Sequence, residues 1–534
     1  MSMSMQFIRN PILKGFNPDP SIIRVGEDYY IANSTFQWFP GVQIHHSRDL
    51  AHWRLLTRPL SRLSQLDMKG NLCSGGVWAP CLTWHNGVFY LVYSDLKNIK
   101  GTFKDCHNYL VTATDIEGEW SDPVYLNSSG FDPSLFHDDD GRKWLVNMYW
   151  DHRGGGGGRE RFGGIVLQEY SEKEKRMTGP VKNIFKGSAL GVTEGPHLYK
   201  RNGYYYLLTA EGGTGDGHAV TVARSKKIDG PYEIDPTNPI LTSVGHPDAE
   251  LRRSGHADIV ETRDGQWYMA HLCARPLKKS GRCVLGRETA IQKVTWTEDG
   301  WLRTEDGGNR PKLAVKAPGL PECPWEPGPL RDDFDSEKLN IHFQSLRIPL
   351  GEDILTLKER PGYLRLKGKE SLNSRFTQAL VARRQQAFSY AASTCMEFEP
   401  DNYNQMAGLV CLYDVNNFYY LKVSRDEKLG KAIGILNCDE GVFYQSQELL
   451  VPVEGWKRIY LKVEVREEEL RFFYSADGQA WKPIGEVYDA SKLSDDYGTT
   501  SNFTGAFAGL CCQDLDGSSK PADFDFFEYS ELSD

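Results

Sequence analysis

The sequence predicts an all-β protein in which a five-bladed β-propeller is followed by a β-sandwich of the jelly-roll, concanavalin-like type. Three observations lead to this fold class: a hairpin pattern that recurs five times, a proline-rich stretch that ends it, and a run of alternating strands beyond. We therefore expect a propeller over residues 1–310, a linker over 311–330 and a sandwich over 331–534.

The repeat consists of short β-hairpins whose second strand is rich in aromatic residues. Five segments match one another: NPDPSIIRVGEDYYI, WAPCLTWHNGVFYL, FDPSLFHDDDGRKWLV, TEGPHLYKRNGYYYLL and HADIVETRDGQWYMA. The turn glycines of the last four are 54, 62 and 62 residues apart, and another alternating strand follows each hairpin. A period of about 60 residues with four short strands is typical of a propeller blade. A set of unrelated hairpins in a sandwich is the alternative interpretation.

Proline recurs through the stretch RPKLAVKAPGLPECPWEPGPL that follows the repeat. It predicts a stiff connector, because proline fixes φ and removes a backbone donor. Beyond it, strands such as NFYYLKVSR, RIYLKVEVR and GAFAGLCCQ alternate with turns, which is the pattern of a two-sheet sandwich. These strands form no catalytic constellation, so we expect the chemistry in the propeller.

Composition argues against several kinds of partner. The chain has 62 Lys+Arg against 72 Asp+Glu and a formal net charge of -10, which disfavours nucleic acid and anionic membranes. The N-terminal MSMSMQFIRNPILKG has no features of a secretory signal, and no segment is apolar enough to span a bilayer. We predict a cytoplasmic protein without nucleic-acid or membrane partners.

The propeller repeat also indicates where a site would lie, because the first strands of the blades line the central channel. The residues that open these strands are, in blade order, Asp19, Trp78 with Ala79, Asp132, Glu194, and His256 with Asp258. Relative to its proline, Glu194 stands one residue earlier than Asp19 does. Each acid alone could be an ordinary strand-entry residue. Three carboxylates on one ring, however, repel one another and cost stability unless a site uses them.

Two carboxylates across a sugar-sized gap are the arrangement that cleavage of a glycosidic bond needs. One donates a proton to the leaving oxygen, and the other attacks the anomeric carbon or activates a water. Asp19 and Glu194 are two blades apart, which favours a gap of roughly 6.5–9.5 Å, room for a water, and hence inversion. Asp132, in the blade beside Glu194, would raise the pKa of Glu194 as a like charge.

The segments NPDPS, FDPSLF, TEGPH and LGRETA together resemble glycoside hydrolase family 43, and the similarity to its two-domain β-xylosidases covers essentially the whole chain. The resemblance implies that Asp19 is the general base, Asp132 the pKa modulator and orienting residue, and Glu194 the general acid. It implies an exo-acting, inverting enzyme that releases D-xylose from the non-reducing end of β-1,4-xylo-oligosaccharides, with side activity on α-L-arabinofuranosides. We also expect a homo-oligomer, either a dimer or a tetramer.

The remaining candidate residues are expected to bind the sugar. The resemblance implies that Arg287, in LGRETA, bonds substrate hydroxyls, and that Phe36 and Trp78 stack on the pyranose face. It also implies that the sandwich sends a loop over the pocket, with Phe503 of SNFTGAF at its tip.

His256 is expected to point to the channel centre, where some relatives hold a calcium ion. A single histidine is a poor ligand for calcium, which prefers oxygen ligands, so a hydrogen-bonding role for His256 is favoured. We expect that no cofactor is required, although calcium is possible.

Three interpretations stay open. The first is the inverting β-xylosidase. The second is another propeller glycosidase, either an α-L-arabinofuranosidase of the same family or a retaining fructosidase-type enzyme, whose NDPNG element is absent here in that form. The third is a non-catalytic sugar-binding propeller, which is disfavoured because binding alone does not call for three ring carboxylates.

Overall fold

The computed structural model describes residues 6–155, 159–498 and 502–533. They form two compact units. One comprises the residues up to Phe36 with Gly41–Arg275 and Arg287–Trp325, and the other comprises Gln37–Pro40, Pro276–Gly286 and the residues from Glu326 on. Two short segments of the first 310 residues therefore belong to the second unit, and the domain boundaries proposed from the sequence stay predictions.

The first unit is a five-bladed β-propeller, as the sequence predicts, and each blade is an antiparallel sheet of four or five strands. Blades 1 and 3 have four strands each: blade 1 contains Ser21–Val25, Asp28–Asn33, Gln43–Ser47 and Arg54–Thr57, and blade 3 contains Ser134–His137, Lys143–Trp150, Phe162–Ser171 and Arg176–Phe185. Blade 5 also has four: Arg252–Glu261, Trp267–Ala274, Arg287–Trp296 and Leu302–Thr304. Blades 2 and 4 have five each: blade 2 contains Gly76–Val77, Cys81–His85, Val88–Asn98, Asp105–Ala113 and Val124–Asn127, and blade 4 contains Glu194–Arg201, Tyr204–Glu211, Ala219–Ser225, Glu233–Ile234 and Leu241–Thr242. A separate two-stranded sheet pairs Phe7–Arg9 with Ala314–Lys316.

Local turn chemistry explains why the hairpins form. In blades 2 and 4 an Asn-Gly pair makes the turn, and both residues are left-handed: φ is 51° at Asn86 and 82° at Gly87, and 47° at Asn202 and 75° at Gly203. These values match the type I′ turn, whose twist fits an antiparallel hairpin.

Apolar side chains between the blades close the ring. One buried cluster joins Ile22 and Ile31 of blade 1 to Val260 and Tyr268 of blade 5, so the first blade packs on the last. Burial of these side chains stabilises the closure of the ring between blades 1 and 5.

The second unit is a β-sandwich of two large sheets, which confirms the second part of the predicted fold class. One sheet contains Arg331–Asp332, Leu355–Thr356, Leu364–Lys367, Tyr390–Glu397, Ile459–Arg466, Glu469–Ser475, Lys482–Asp489 and Pro521–Glu531. The other contains Ala379–Arg384, Gln405–Asp414, Asn417–Asp426, Gly430–Asp439, Val442–Tyr444, Val451–Pro452 and Phe507–Asp514. Trp38–Phe39 and Ser345–Leu346 pair as a small sheet of their own.

The interior of the sandwich is one large apolar cluster contributed by both sheets, for example Leu421 and Val423 from one and Leu461 and Val463 from the other. In the described ranges the only helical segments are the 3₁₀ turns Gln447–Leu449 and Ala490–Lys492. No helix within those ranges has the length and apolar character that crossing a membrane requires.

Candidate active site

Three carboxyl groups meet at the end of the channel where the first strands of blades 1, 3 and 4 begin. Asp19 and Asp132 lie two residues before their strands, and Glu194 is the first residue of its strand. They are close enough for the charges of Asp19 and Glu194 to raise the pKa of Asp132, and for the charge of Asp19 to raise the pKa of Glu194. The structure thus brings together all three candidate catalytic residues.

Strained backbone holds this rim. The φ angles of Asp19, Asp132 and His256 are 51°, 54° and 43°, in the left-handed region that residues with a side chain seldom adopt. Asp19 and Asp132 each precede a proline, which disfavours helical conformations further. Strain of this kind is common where a side chain must be held in a functional position.

Blade 4 explains why Glu194 stands one residue earlier in its repeat. The residue that directly precedes Pro196 is Gly195, with φ at 56°, and the strand pairing shifts register between Glu194 and His197. A Cβ atom on Gly195 would lie 3.0 Å from Nε2 of His256. A side chain at the position that carries aspartate in blades 1 and 3 would press tightly against the ring of His256 here, and the acid comes from the residue before.

Asp19 is surrounded by groups that favour its charged form. Oγ of Ser34 donates a hydrogen bond of 2.5 Å to Oδ2, Nη1 of Arg287 donates one of 3.2 Å to Oδ1, and Nδ1 of His256 is 3.7 Å from Oδ1. Burial by itself would raise the pKa of Asp19, but these partners, Arg287 foremost, hold it below the usual value. Asp19 is therefore an ionised carboxylate, suited to act as a base.

Glu194 has the opposite environment. Burial first, and then the negative charge of Asp19, raise its pKa to about 8, although Arg287 and Lys104 act against the shift. No residue in the described ranges donates a hydrogen bond to its carboxyl group. Glu194 is therefore protonated near neutral pH with its carboxyl free to reach a ligand, as a general acid requires.

Asp132 is tied to the strand that carries Glu194. The backbone N–H of Gly195 donates a hydrogen bond of 3.0 Å to Oδ2 of Asp132, and Oγ of Ser134 donates one of 2.6 Å to the carbonyl of Pro196. Burial, followed by the charge of Glu194, raises the pKa of Asp132 well above its usual value. The two carboxyls of blades 3 and 4 therefore titrate together as a pair.

Aromatic side chains form an arc from the Asp19 side of the rim to the Asp132 side. The guanidinium of Arg287 is 5.3 Å from the ring centroid of Phe36, that ring is 6.1 Å from Trp78, and Trp78 is 4.9 Å from Phe131. Backbone hydrogen bonds between Phe36 and Val77 fix the first two rings side by side. Such an arc offers apolar faces to a pyranose ring beside the carboxyls, and it contains both predicted stacking residues.

The ring of His256 lies against Asp19 and Gly195. Burial lowers its pKa to about 4, so the ring is neutral. The adjacent carboxylate is already engaged by Ser34 and Arg287. In the part of the chain that the structure describes, no three His, Cys, Asp or Glu side chains are grouped so that they could hold a metal ion. Nδ1 of His256 is 3.7 Å from Asp19, beyond hydrogen-bond distance, so the hydrogen-bonding role of His256 and the binding of calcium both stay predictions.

The sequence analysis missed several residues that lie beside Arg287 and Trp78. Oγ1 of Thr214 accepts a hydrogen bond of 3.0 Å from Nη1 of Arg287. Nζ of Lys104 is 5.6 Å from the ring centroid of Trp78 and 4.7 Å from that of Trp150. A weak signal existed for Thr214, because its glycine-rich loop directly follows the strand that pairs with Glu194. Lys104 lies on an irregular connection that carries no repeat signal.

Phe503, the predicted contribution of the sandwich, is half-buried and belongs to the second unit. Ser501, at the start of the predicted 501–507 loop, lies outside the described residues. That this loop reaches the pocket stays a prediction.

Three carboxyls on one rim, two of them buried and one half-buried, with opposed pKa shifts and aromatic rings beside them, define a glycosidase. Residues 8–302 match the model of glycosyl hydrolases family 43, and residues 331–530 match that of the beta xylosidase C-terminal concanavalin A-like domain. The chain belongs to glycosyl hydrolases family 43.

Similar proteins cover nearly the full length. A beta-xylosidase of Bacillus subtilis is 52% identical over 98% of this chain and 99% of its own. A xylosidase/arabinosidase 43B of Humicola insolens is 52% identical over 98% of both chains. The crystal structure of a xylan beta-1,4-xylosidase from Bacillus halodurans superposes with a TM-score of 0.96 at 57% identity, covering 98% of this chain and 100% of that one.

Proposed function

We propose that this glycosidase is an inverting, exo-acting β-xylosidase that releases D-xylose from the non-reducing end of β-1,4-xylo-oligosaccharides. The observation that carries the proposal is a pair of carboxyls on one rim with opposite surroundings. Asp19 is bonded by Ser34 and Arg287 and its pKa is lowered, whereas Glu194 has no donor in the described residues and its pKa is raised to about 8. The names of the similar Bacillus proteins support the choice of sugar.

In this mechanism Asp19 accepts a proton from a water molecule, whose oxygen forms a bond to the anomeric carbon. Glu194 donates its proton to the glycosidic oxygen as the bond from that oxygen to the anomeric carbon breaks. Attack from the face opposite the leaving group converts a β-xyloside into α-xylose. Asp132, bonded to the N–H of Gly195, orients the acid and couples to its titration.

A side activity on α-L-arabinofuranosides is part of the proposal, and the name of the Humicola relative supports it. We also propose a cytoplasmic, homo-oligomeric enzyme that does not require calcium. Light scattering of the purified chain would measure the assembly, cell fractionation the location, and an assay after chelation the metal requirement.

The test is a comparison of hydrolysis rates on 4-nitrophenyl β-D-xyloside, 4-nitrophenyl α-L-arabinofuranoside and xylobiose. We expect turnover of all three, with kcat/KM highest for the xylose substrates and xylose as the first product from longer oligomers. A higher kcat/KM for the arabinofuranoside would favour the arabinofuranosidase instead. Binding of xylobiose without any turnover would reject catalysis.

A further inference from the structure

A buried lysine lies in the sandwich, and no step of the proposed reaction uses it. Lys422 is in the strand Asn417–Asp426, where Leu421 and Val423 point into the core between the two sheets. Because side chains alternate along a strand, Lys422 points to the opposite face of its sheet. Its side chain is nevertheless buried, with a residue exposure of only 4%.

The ammonium group of Lys422 has no partner. Within the described residues it makes no hydrogen bond and no ion pair. Burial alone lowers its pKa to about 8. A cation held this deep without a counter-charge costs stability. The nitrogen of Lys422 is not fully enclosed by protein atoms and borders open space.

Lys422 lies at a cavity of about 260 Å³ on this face of the sheet. In the sheet register it stands between Gly408 on one neighbouring strand and Gly434 on the other, so no side chain flanks it in its row. A Cβ atom on Gly434 would lie 2.6 Å from the side chain of Leu450, which lines the cavity. Leu450 thus packs over Gly434, and neither glycine places a side chain of its own beside Lys422.

The charged groups nearest in sequence are already engaged. The carboxylate of Asp426 accepts hydrogen bonds of 2.8 and 2.9 Å from the backbone N–H groups of Lys428 and Leu429. Nη1 of Arg425 is 3.8 Å from a carboxylate oxygen of Glu454. Neither Asp426 nor the adjacent Glu427, both on the cavity wall, affects the pKa of Lys422.

We propose that this cavity is a second ligand site, which binds a carboxylate-bearing saccharide unit, a uronic acid, with its carboxylate on the ammonium of Lys422. A charged donor and a carboxylate form the strong class of hydrogen bond. The side chains of Gln445 and Gln447 offer donors and acceptors for hydroxyl groups, and Tyr403 and Met406 offer apolar surface for a sugar ring. The volume is below the roughly 300–1,000 Å³ of pockets for drug-sized ligands, which suits a single sugar unit.

The test is calorimetric titration of the full chain with D-glucuronate, D-glucose and acetate at pH 6.5. We expect saturable binding of glucuronate, weaker binding of acetate and none of glucose at this site. Equal affinities for acetate and glucuronate would overturn the saccharide assignment, and no binding of either anion would overturn the site.

Two variants locate the binding. Lys422→Met should weaken glucuronate binding about ten-fold or more, the worth of a charge-assisted hydrogen bond, and leave hydrolysis of an aryl β-xyloside unchanged. Lys428→Met removes the same charge from an exposed position of the same hairpin and should change neither property. Undiminished glucuronate binding by Lys422→Met would place the ligand elsewhere and overturn the proposal.

A pH series on the unaltered chain tests the charge without any substitution. Because the ammonium loses its proton as pH rises through about 8, glucuronate should bind more weakly at pH 9.5 than at pH 6.5. Equal binding at both pH values would contradict a role for Lys422.

Discussion

The two sides of the channel rim each withdraw a carboxyl group from water, yet they give the two groups opposite protonation. On the blade 1 side, Asp19 is 5% exposed and its pKa is lowered. On the blade 4 side, the pKa of Glu194 is raised to about 8. Burial raises the pKa on both sides, so burial does not distinguish them. The largest difference is the position of one cation, because Arg287 bonds Asp19 directly and reaches Glu194 only through space. The hydrogen bond from Ser34 to Asp19 and the charge of Asp19 itself, which raises the pKa of Glu194, act in the same sense.

Hydrogen bonding follows the same division. Ser34 and Arg287 hold the carboxylate of Asp19 in one orientation, whereas Glu194 accepts no hydrogen bond from the described part of the chain. A base that must position a water benefits from a fixed carboxylate. An acid that must follow a leaving group benefits from a free one.

The largest effect is expected from removal of the base. Asp19→Asn keeps the shape of the side chain but cannot accept a proton from water, so kcat should fall by about 10²–10⁴-fold or more on every substrate. Steady-state assays on xylobiose and on aryl xylosides measure this. Asp299→Asn, at an exposed turn of blade 5, is the control and should retain full activity. Activity of Asp19→Asn close to that of Asp299→Asn would remove Asp19 from the mechanism.

Removal of the general acid, Glu194, should reduce activity on some substrates far more than on others. Glu194→Ala should lose about 10²–10⁴-fold on xylobiose, whose leaving group needs a proton, and far less on aryl xylosides with acidic phenols. In the unaltered enzyme kcat/KM should fall as pH rises through about 8, because Glu194 then loses its proton. That fall should be absent for Glu194→Ala on an activated aryl xyloside. Equal losses on both substrate types would contradict the acid role.

The smallest expected effect is a shift of the acidic limb of the pH profile of activity. Asp19 must be ionised, so activity is lost as pH falls through its lowered pKa. Arg287→Ala removes the main opposing charge, and the limb should move up by about 1–3 pH units. Arg287→Lys keeps a positive charge and should restore part of the shift. A pH profile of kcat/KM for both variants checks this, and an unmoved limb for Arg287→Ala would show that Arg287 does not set the pKa of Asp19.

Local patterns predicted much of this molecule. Hairpin turns such as Asn86-Gly87 and the aromatic strands after them are short-range signals, and the blade count follows from their repetition. The same repetition placed Asp19, Asp132 and Glu194 together, because equivalent positions of the blades lie on one ring around the channel. The reason for the offset at Glu194 needed coordinates, because the clash at Gly195 involves His256 from another blade.

Residues outside the repeat were not predicted. Ser34, Lys104 and Thr214 lie in connections, where position depends on long-range packing rather than on periodicity. Lys422 was also missed, because a lysine at an alternating position of a strand normally indicates a solvent-facing side chain. Gln447 and Leu450, which line the same cavity, come from a later segment that no pattern of this strand predicts.

The most direct test of the account is the anomer that the enzyme first releases. If Asp19 activates a water while Glu194 protonates the leaving oxygen, one displacement occurs and the configuration inverts. Proton NMR of fresh enzyme with xylobiose should then show α-xylose as the initial product, followed by slow mutarotation to the equilibrium mixture. Initial β-xylose would mean two displacements and a covalent intermediate, and would contradict the assignment of Asp19 as a base.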